Sequence, residues 1–542
     1  MAPPDRFDTH AVFNQSPAYQ NVDLFLSDAP LKDAVRANGA ATAADALSAF
    51  GRQWGAEAMF TLGRQANDNP PQLCSFDAEG LRRDVVEFHP AYHRLMTESI
   101  AAGLHAATWT EAGERAPPPA EVTRSARFYM AAQVETGHLC PLTMTRAAPA
   151  ALAAEPTLAK TVVPKVVSRN YDAAFRPFWE KAGMTLGMGM TEKQGGTDVR
   201  AITTSATRVG DTYSIVGHKW FLSAPMSDAF LVLAQAAGGL SCFFMPRFRP
   251  DGSVNALRFA RLKNKLGNRS NASSEVEFTE AFAWRVGDEG AGLRTILQMV
   301  QLTRLDCTVA SAGLMRMALV QAVHHCRHRK VFNKRLYDQP IMRAVLAAMA
   351  LDVEAAIALA MRLSRAYDHA ATDRREAAYA RLLTPAAKYW VCKTAPALVY
   401  EAMECRGGNG YVETSILPRL YREAPVNAIW EGSGNVLCLD VLRALKQEEE
   451  VDLLATLLRD VPAPFAVDAE ATVKSASETT ARALVERLAL LASAAALRAS
   501  APSAVAEVFI RTRLAQSHGA FYGADAIDAA TTALLLERAL AS

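Results

Sequence analysis

GMGMTEKQGGTDV, residues 187 to 199, marks the point where the texture of the chain changes, and its reading decides the fold. The paired Gly195 and Gly196 allow close backbone approach to a ligand. Thr191, Thr197 and backbone N–H groups can donate to a phosphate or a polar ring. The dinucleotide fingerprint G-x-G-x-x-G fails here, because Glu192 stands where the third glycine belongs. The residues before it read as helical, whereas that fingerprint follows a strand, so a Rossmann nicotinamide site is disfavoured. From composition alone, a ligand loop and an ordinary surface turn stand at even odds.

Upstream, from about residue 30 to 180, the chain is Ala-rich, with apolar positions at helical spacing and breaks such as APPPA (116 to 120). Downstream, TYSIVGHKWFLS, AFLVLAQ, LSCFFMP and SEVEFTEAFAWRV are short β-branched or aromatic runs separated by Gly, Asp, Asn and Pro, which predicts strands. The helical period returns with GAGLRTILQMV (290 to 300) and lasts to about residue 447. KQEEEVD and VPAPFAVD (461 to 468) then precede an Ala- and Leu-rich tail. The expected organisation is an α+β multidomain chain. It comprises a helical domain with an extended N-terminal segment (1–184), a β domain (185–288), a second helical domain (289–447) and an extra helical domain (448–542).

A chain of 542 residues is too long for one ordinary core. A net charge of +2 gives no global reason to expect nucleic acid or an acidic surface as partner. The eight cysteines never form C-x-x-C and read as reduced thiols of a cytosolic protein. MAPPDRFDTHAVFNQ shows no signal pattern, and no apolar run reads as long enough to span a bilayer. The expectation is a cytoplasmic protein without membrane association.

Three further stretches carry polar residues in suggestive patterns. HHCRHRK (324 to 330) puts His324 and His328 on one helix face beside Cys326, but no third ligand follows at metal-site spacing, so no metal is expected. RGGNGYVE (406 to 413) lacks the G-K-[ST] ending of a P-loop and reads as a phosphate cradle or a tight turn. NAIWEGSGN (427 to 435) sets one carboxylate, Glu431, between bulky Trp430 and a small polar run, as a catalytic base or as a structural acid.

Taken together, these stretches closely resemble the flavin-dependent acyl-CoA dehydrogenases. GMTEKQGGTDVRA (189 to 201) fits the family's first signature, and ECRGGNGYVETSILPRLYRE (404 to 423) fits the second except at Thr414. GHKWFLS (217 to 223), KLGNRSNASSEVEF (265 to 278), RKVFNKRLYDQPI (329 to 341) and IWEGSGN (429 to 435) follow in family order. THAVFNQ and LFLSD near the N-terminus, LYREAPVNAIWEGSGN and the helical tail are similar to one branch, flavoproteins of the bacterial adaptive response to alkylation damage. The resemblance implies the family fold: an N-terminal α domain, a middle β-barrel and a C-terminal helical bundle.

It also implies FAD held between the β domain and the C-terminal helices. Met188, Thr191, Gly196 and Thr197 would line its pyrimidine and pyrophosphate side, Phe221 would lie against the isoalloxazine, and Ser223 would approach flavin N5. Trp430, Ser433 and Asn435 would complete the site. Gly407 and Gly408 would be further cofactor contacts, and a neighbouring subunit's Arg329 and Phe332 would grip the adenosine end, with Asn333 standing where the family has Gly. A homotetramer follows from that cross-subunit contact. Glu431 would be the base that takes the α proton of an acyl-CoA, while Thr303 occupies the position just before Arg304 where some members place it. Trp430 would narrow the acyl cavity beside Arg304, and Arg443 would pair with Glu431 and lower its pKa.

The same branch implies a tail that binds double-stranded DNA. Residues 451 to 542 carry eight Lys/Arg against ten Asp/Glu, so charge does not predict it. FIRTRLAQSHG (509 to 519) is the local exception, with Arg511, Arg513 and His518 as candidate phosphate contacts. Two functions stand: a DNA-binding flavoprotein of alkylation defence with weak short- or branched-chain acyl-CoA oxidation, or a competent acyl-CoA dehydrogenase with no DNA role.

Overall fold

A computed structural model describes residues 9–447, 476–515 and 519–540, together with Asp452 and Val473. The N-terminal part holds helices α1 (Ala29–Ala37), α2 (Ala44–Trp54), α3 (Glu57–Asp68), α4 (Pro90–Ala101), α5 (Ala120–Ala132), α6 (Leu139–Leu152) and α7 (Pro156–Val166). Between α3 and α4 the chain departs from the helical expectation. β1 (Gln72–Phe76) and β2 (Arg82–Glu87) form an antiparallel hairpin around Asp77 and Gly80. The acidic, glycine-containing turn and the β-branched Val85 and Val86 carry that signal, which the Ala-rich surroundings mask.

The middle domain consists of β3 (Leu186–Gly189), β4 (Ser205–Val209), β5 (Thr212–Ser223), β6 (Ala229–Ala236), β7 (Gly239–Pro246), β8 (Leu257–Leu262) and β9 (Ser273–Val286). Strand β5 pairs with β9, β9 with β7, β7 with β6, β6 with both β3 and β4, and both of these with β5, so the sheet closes on itself as a barrel. Closure pairs these strands on both sides, and β8 stands outside the ring, paired with β9. Ile215, Phe230, Phe243, Phe259 and Phe278 fill one apolar core of this sheet. The residues before Gly187 are not helical as expected: α7 ends at Val166, and Leu186–Gly189 is a strand running parallel to β6.

Three long helices follow, α8 (Gly292–His328), α9 (Pro340–His369) and α10 (Arg374–Cys405). They are apolar over most of their circumference because neighbours cover them on several sides. The expectation that no apolar run could span a bilayer is corrected by α9, which passes on length and composition. Its most apolar window is 89 % buried in protein, so it is a core helix. The short hairpin β10 (Lys330–Val331) and β11 (Lys334–Arg335) joins α8 to α9. After α10 come α11 (Gly408–Tyr411), α12 (Ile416–Glu423) and α13 (Gly434–Ala444).

The described tail adds α14 (Ala481–Ser500), α15 (Ser503–Phe509), a π-helical turn (Ile510–Ala515) and α16 (Ala529–Ala539). Leu484, Leu488, Leu491, Phe509 and Leu535 belong to the same continuous core as α8, α9 and α10. The boundary at 447/448 is thus one of sequence texture, and the helices beyond it share the bundle's core.

Candidate functional site

The loop between α12 and α13 presents Glu431. Its backbone is left-handed at Glu431 (φ 59°) and Gly432 (φ 102°), a conformation that a glutamate adopts only when held there. Two buried cations hold it. Lys388 of α10, fully buried, donates from Nζ to the carbonyls of Trp430 (2.8 Å) and Gly432 (2.9 Å). Arg304 of α8 donates from Nε to the carbonyl between them, that of Glu431 (2.9 Å). Arg304 is fixed in turn by Asp440 (2.6 Å), which also takes Arg381 (2.8 Å). Three consecutive carbonyls bound to two cations set the direction of one side chain.

The Glu431 carboxyl accepts from the Thr303 hydroxyl (2.7 Å), so the residue at the family's alternative base position positions this one. Burial pushes the Glu431 pKa above the ordinary 4.5; the Thr303 bond and the charges of Lys388 and Arg304 oppose that without overcoming it. The expected pairing with Arg443 does not form. Arg443 is exposed on α13 and is not among the charges acting on the carboxyl, which reverses the expected downward shift.

Glu431 lines a cavity of about 50 Å³ together with Ser223, Trp430, Asn427, Cys140 and Met144. Trp430 is one of its walls, and its indole is pinned by a bond from Nε1 to Asn427 Oδ1 (3.0 Å). Asn427 donates on to Ser311 (3.0 Å). Ser223 ends β5 and stands opposite Met188 of β3, so the β-domain residues expected at the flavin share this wall with the expected base. Phe221, two residues earlier, keeps 44 % of its surface exposed, with the Lys263 ammonium 4.7 Å from its ring. Such an exposed aromatic face fits a stacked heterocycle.

Thr191, Gly196 and Thr197 lie on the loop after β3, and a Cβ at Gly196 would collide with Thr191. Glu192, the residue that breaks the dinucleotide fingerprint, is buried and staples this loop. It accepts from Lys219 (2.7 Å), the Thr203 and Thr204 amides and the Gln194 side chain, contacts that hold its carboxyl well below the usual range. Ser433 and Asn435 are exposed where α13 begins.

Arg329, Gly407 and Gly408 line a second, larger cavity of about 450 Å³. Gly407 is left-handed (φ 63°), and a Cβ on either glycine would meet nothing within 4 Å, which leaves the backbone open to a ligand. Nearby, Phe332 (φ 53°) and Asn333 (φ 61°) are the two left-handed residues of the β10–β11 turn. Asn is the non-glycine residue that best tolerates this conformation, which explains how it replaces the family glycine. Phe332 is 94 % exposed at the tip. The donor-bearing loop after β3 and the open backbone at Gly407 and Gly408 fit the polar and phosphate parts of a cofactor such as FAD. His324 and His328, weighed as a metal pair, place their ring nitrogens on the carbonyls of Pro17 (2.9 Å) and His324 (2.8 Å).

The tail cations end up elsewhere. Arg513 is buried and paired with Asp352 (2.8 Å) and Asp525 (2.8 Å), and these pairs leave it no charge to offer a phosphate, which corrects its expected role at DNA. Arg511 is exposed and donates to the Ala526 carbonyl (3.1 Å). His518 lies outside the described residues. Sequence reasoning missed Lys388, Asp440, Lys219 and Glu423. Lys388, in the otherwise apolar stretch TPAAKYW, was the one with a visible signal.

Residues 14–173 match the AidB N-terminal domain of the adaptive response protein, 187–281 the acyl-CoA dehydrogenase middle domain, and 290–446 the acyl-CoA dehydrogenase C-terminal domain. The chain is 51 % identical over 458 residues to AidB of Escherichia coli (strain K12), covering 84 % of each. Its fold matches that of Caenorhabditis elegans ACDH-11, solved in complex with C11-CoA. That match has a TM-score of 0.84 at 26 % identity, over 99 % of this chain and 95 % of that one. A glutaryl-CoA dehydrogenase from Mycobacterium smegmatis, solved with FADH2, shares the fold, with a TM-score of 0.55 at 18 % identity over 65 % of this chain and 86 % of that one.

Proposed function

The chain belongs to the acyl-CoA dehydrogenase family, and from that premise we propose an AidB-like flavoprotein that oxidises a short acyl-CoA slowly and binds duplex DNA in defence against alkylation. Its cofactor is FAD, as throughout the family. Bound FAD supplies the acceptor for the hydride that leaves the β carbon. The chain's own residues do the rest. The Glu431 carboxylate takes the α proton, Lys388 and Arg304 aim it, and Trp430 excludes long chains. Met188, Thr191, Gly196, Thr197, Phe221, Ser223, Ser433 and Asn435 would hold the flavin end, and Arg329, Gly407 and Gly408, which line one cavity of the same chain, would together with Phe332 hold the adenosine end of a neighbouring subunit's FAD.

One observation carries the reading: a glutamate of raised pKa, held left-handed by two buried cations, faces Ser223 across a small cavity. Raised basicity suits it to proton abstraction, and the small volume points to a short chain. An anaerobic titration of the yellow protein with butyryl-CoA tests it. Bleaching of the visible flavin band supports the assignment, and a band that stays oxidised with every short acyl-CoA sinks it.

The likeness to AidB supports the DNA part, with cytoplasmic location and a tetramer as its setting. Arg511 and other exposed cations would contact phosphates, which makes binding independent of sequence and weakened by salt. Fluorescence anisotropy with two unrelated duplexes checks this: equal affinities that fall as salt rises are expected. Rapid turnover of acyl-CoA without DNA binding would instead favour the second reading, a catabolic dehydrogenase.

A further inference from the structure

The larger cavity, of about 450 Å³, is walled in part by His325, Arg329 and Val331, where α8 runs out into β10. Residues 11–21 cross the outside of that corner as a strap with neither helix nor strand, and they line none of the cavity. Asn14 anchors the strap. Its Nδ2 donates to the Lys330 carbonyl (2.8 Å) and its Oδ1 accepts from the Lys330 amide (2.7 Å), so one side chain satisfies both main-chain groups of the residue between Arg329 and Val331. The Asn14 carbonyl accepts from Arg329 Nη1 (2.9 Å). Two residues on, the Ser16 hydroxyl shares a hydrogen bond with His325 Nδ1 (3.1 Å), and His324 Nε2 donates to the Pro17 carbonyl (2.9 Å).

These bonds set where the cavity's cation points. Arg329 gives Nη1 to the strap, while its Nε and Nη2 make no bond among the described residues and are left for a ligand. Asn14 is left-handed (φ 57°), a conformation that asparagine tolerates better than other side-chain-bearing residues, and this one backbone setting aims both its amide and its carbonyl. An arginine that nothing holds samples many rotamers. Fixing it before the ligand arrives removes that ordering cost from binding.

We propose that Asn14, seconded by Ser16, is a positioning residue for the cofactor: it holds Arg329 and the β10 main chain in the arrangement that receives the adenosine end of a neighbouring subunit's FAD. The proposal rests on the reading of this cavity as the adenosine site and adds what keeps that site assembled. The test is the Kd of FAD, measured on full-length protein by ultrafiltration of diluted holoprotein and absorbance of the released flavin. Asn14→Gly keeps the left-handed backbone and the carbonyl that takes Arg329, and removes only the amide.

With both bonds to Lys330 gone, the glycine variant should raise the Kd about tenfold. Asn14→Asp still accepts from the Lys330 amide but cannot donate to its carbonyl, and it should raise the Kd only about threefold, as should Ser16→Ala. The visible spectrum of the bound flavin at saturating FAD should stay as it is, because the strap bonds to none of the residues expected at the flavin. Arg329→Gln is the reference variant. If it leaves the Kd unchanged, the adenosine reading falls and this proposal with it. If it raises the Kd while Asn14→Gly and Ser16→Ala leave it unchanged, the proposal alone falls. A flavin spectrum that changes together with the Kd would mark a general loosening of the fold and also overturn it. Should Asn14→Gly fail to fold, the aspartate and Ser16 variants decide by the same criteria.

Discussion

The long helices α8, α9 and α10 carry buried charge toward two sides of the molecule, and the two sides are finished differently. Toward the tail, carboxylates meet cations. Asp352 takes Arg513 (2.8 Å), Glu354 takes Arg538 (2.6 Å), and Asp28 of the N-terminal segment takes Arg316 (3.0 Å). Toward the β-barrel, Glu431 has one hydroxyl at its carboxyl and Glu423 leaves an oxygen bare. Desolvation applies on both sides. Where a partner balances it, the charge fastens one segment to another. Burial raises Glu431 and Glu423, and it raises Glu354 too despite Arg538, so the two sides differ in bonding and not in the direction of the pKa.

The sharpest way to break this contrast is Glu431→Gln. If the under-partnered side does chemistry, acyl-CoA-dependent flavin reduction should slow by about 10³-fold, in the middle of the range for losing a general base. Flavin content and melting temperature should stay put, since a glutamine still accepts from Thr303. A loss smaller than tenfold would put Glu431 with the structural acids. On the other side, Arg513→Met removes the cation and leaves Asp352 and Asp525 uncompensated, with an expected loss of about 3–5 kcal/mol in unfolding free energy. Chemical denaturation measures it, and flavin reduction in the folded fraction should be unchanged. A loss under ~1 kcal/mol would place the pair among exposed ion pairs and reopen Arg513 as a surface cation.

The same contrast explains what the sequence made legible. Helical and strand periods announced the α–β–α order, because burial on one face imprints a period on side-chain type. The motif residues Ser223, Trp430 and Glu431 converge on one cavity, and Arg329, Gly407 and Gly408 on another. The partners of those residues did not show. Lys388 lies 43 positions before Glu431 in a run that reads as plain helix, and the three-dimensional turn of α10 against the loop is what brings its ammonium to two carbonyls. Arg513 failed in the opposite direction. Spacing made it look like part of a solvated basic face, whereas its aspartates come from α9 and from a loop twelve residues later. Charge patterns along the chain show which cations exist, and only packing shows which are already spent.

Lys388→Met tests how far that hidden partner matters. Methionine keeps the length and the apolar stem but drops both bonds to the loop. Left-handed Glu431 would then relax, and kcat should fall about 10- to 100-fold, the scale of a base displaced by roughly 1 Å. KM should move by less than about threefold, because the acyl-CoA is gripped elsewhere. A raised KM with kcat intact would mean that the ammonium serves binding and leaves Arg304 as the sole brace of the loop.

The smallest effect is the most diagnostic for Thr303. Its single hydroxyl proton has two acceptors in reach, the Val300 carbonyl (2.9 Å) and Glu431 (2.7 Å). When that proton goes to Glu431, it stabilises the carboxylate and lowers the pKa that burial raises. The base works only when ionised, so kcat/KM should fall as pH drops through a value above the ordinary 4.5. Thr303→Val removes the donor without changing shape, which should move that acid limb to higher pH and leave the plateau within about threefold. A limb that moves to lower pH would reverse the direction of the bond. Neutral Glu431 would then be donating to Thr303 while Thr303 donates to Val300, and the hydroxyl would be storing the proton of the resting acid.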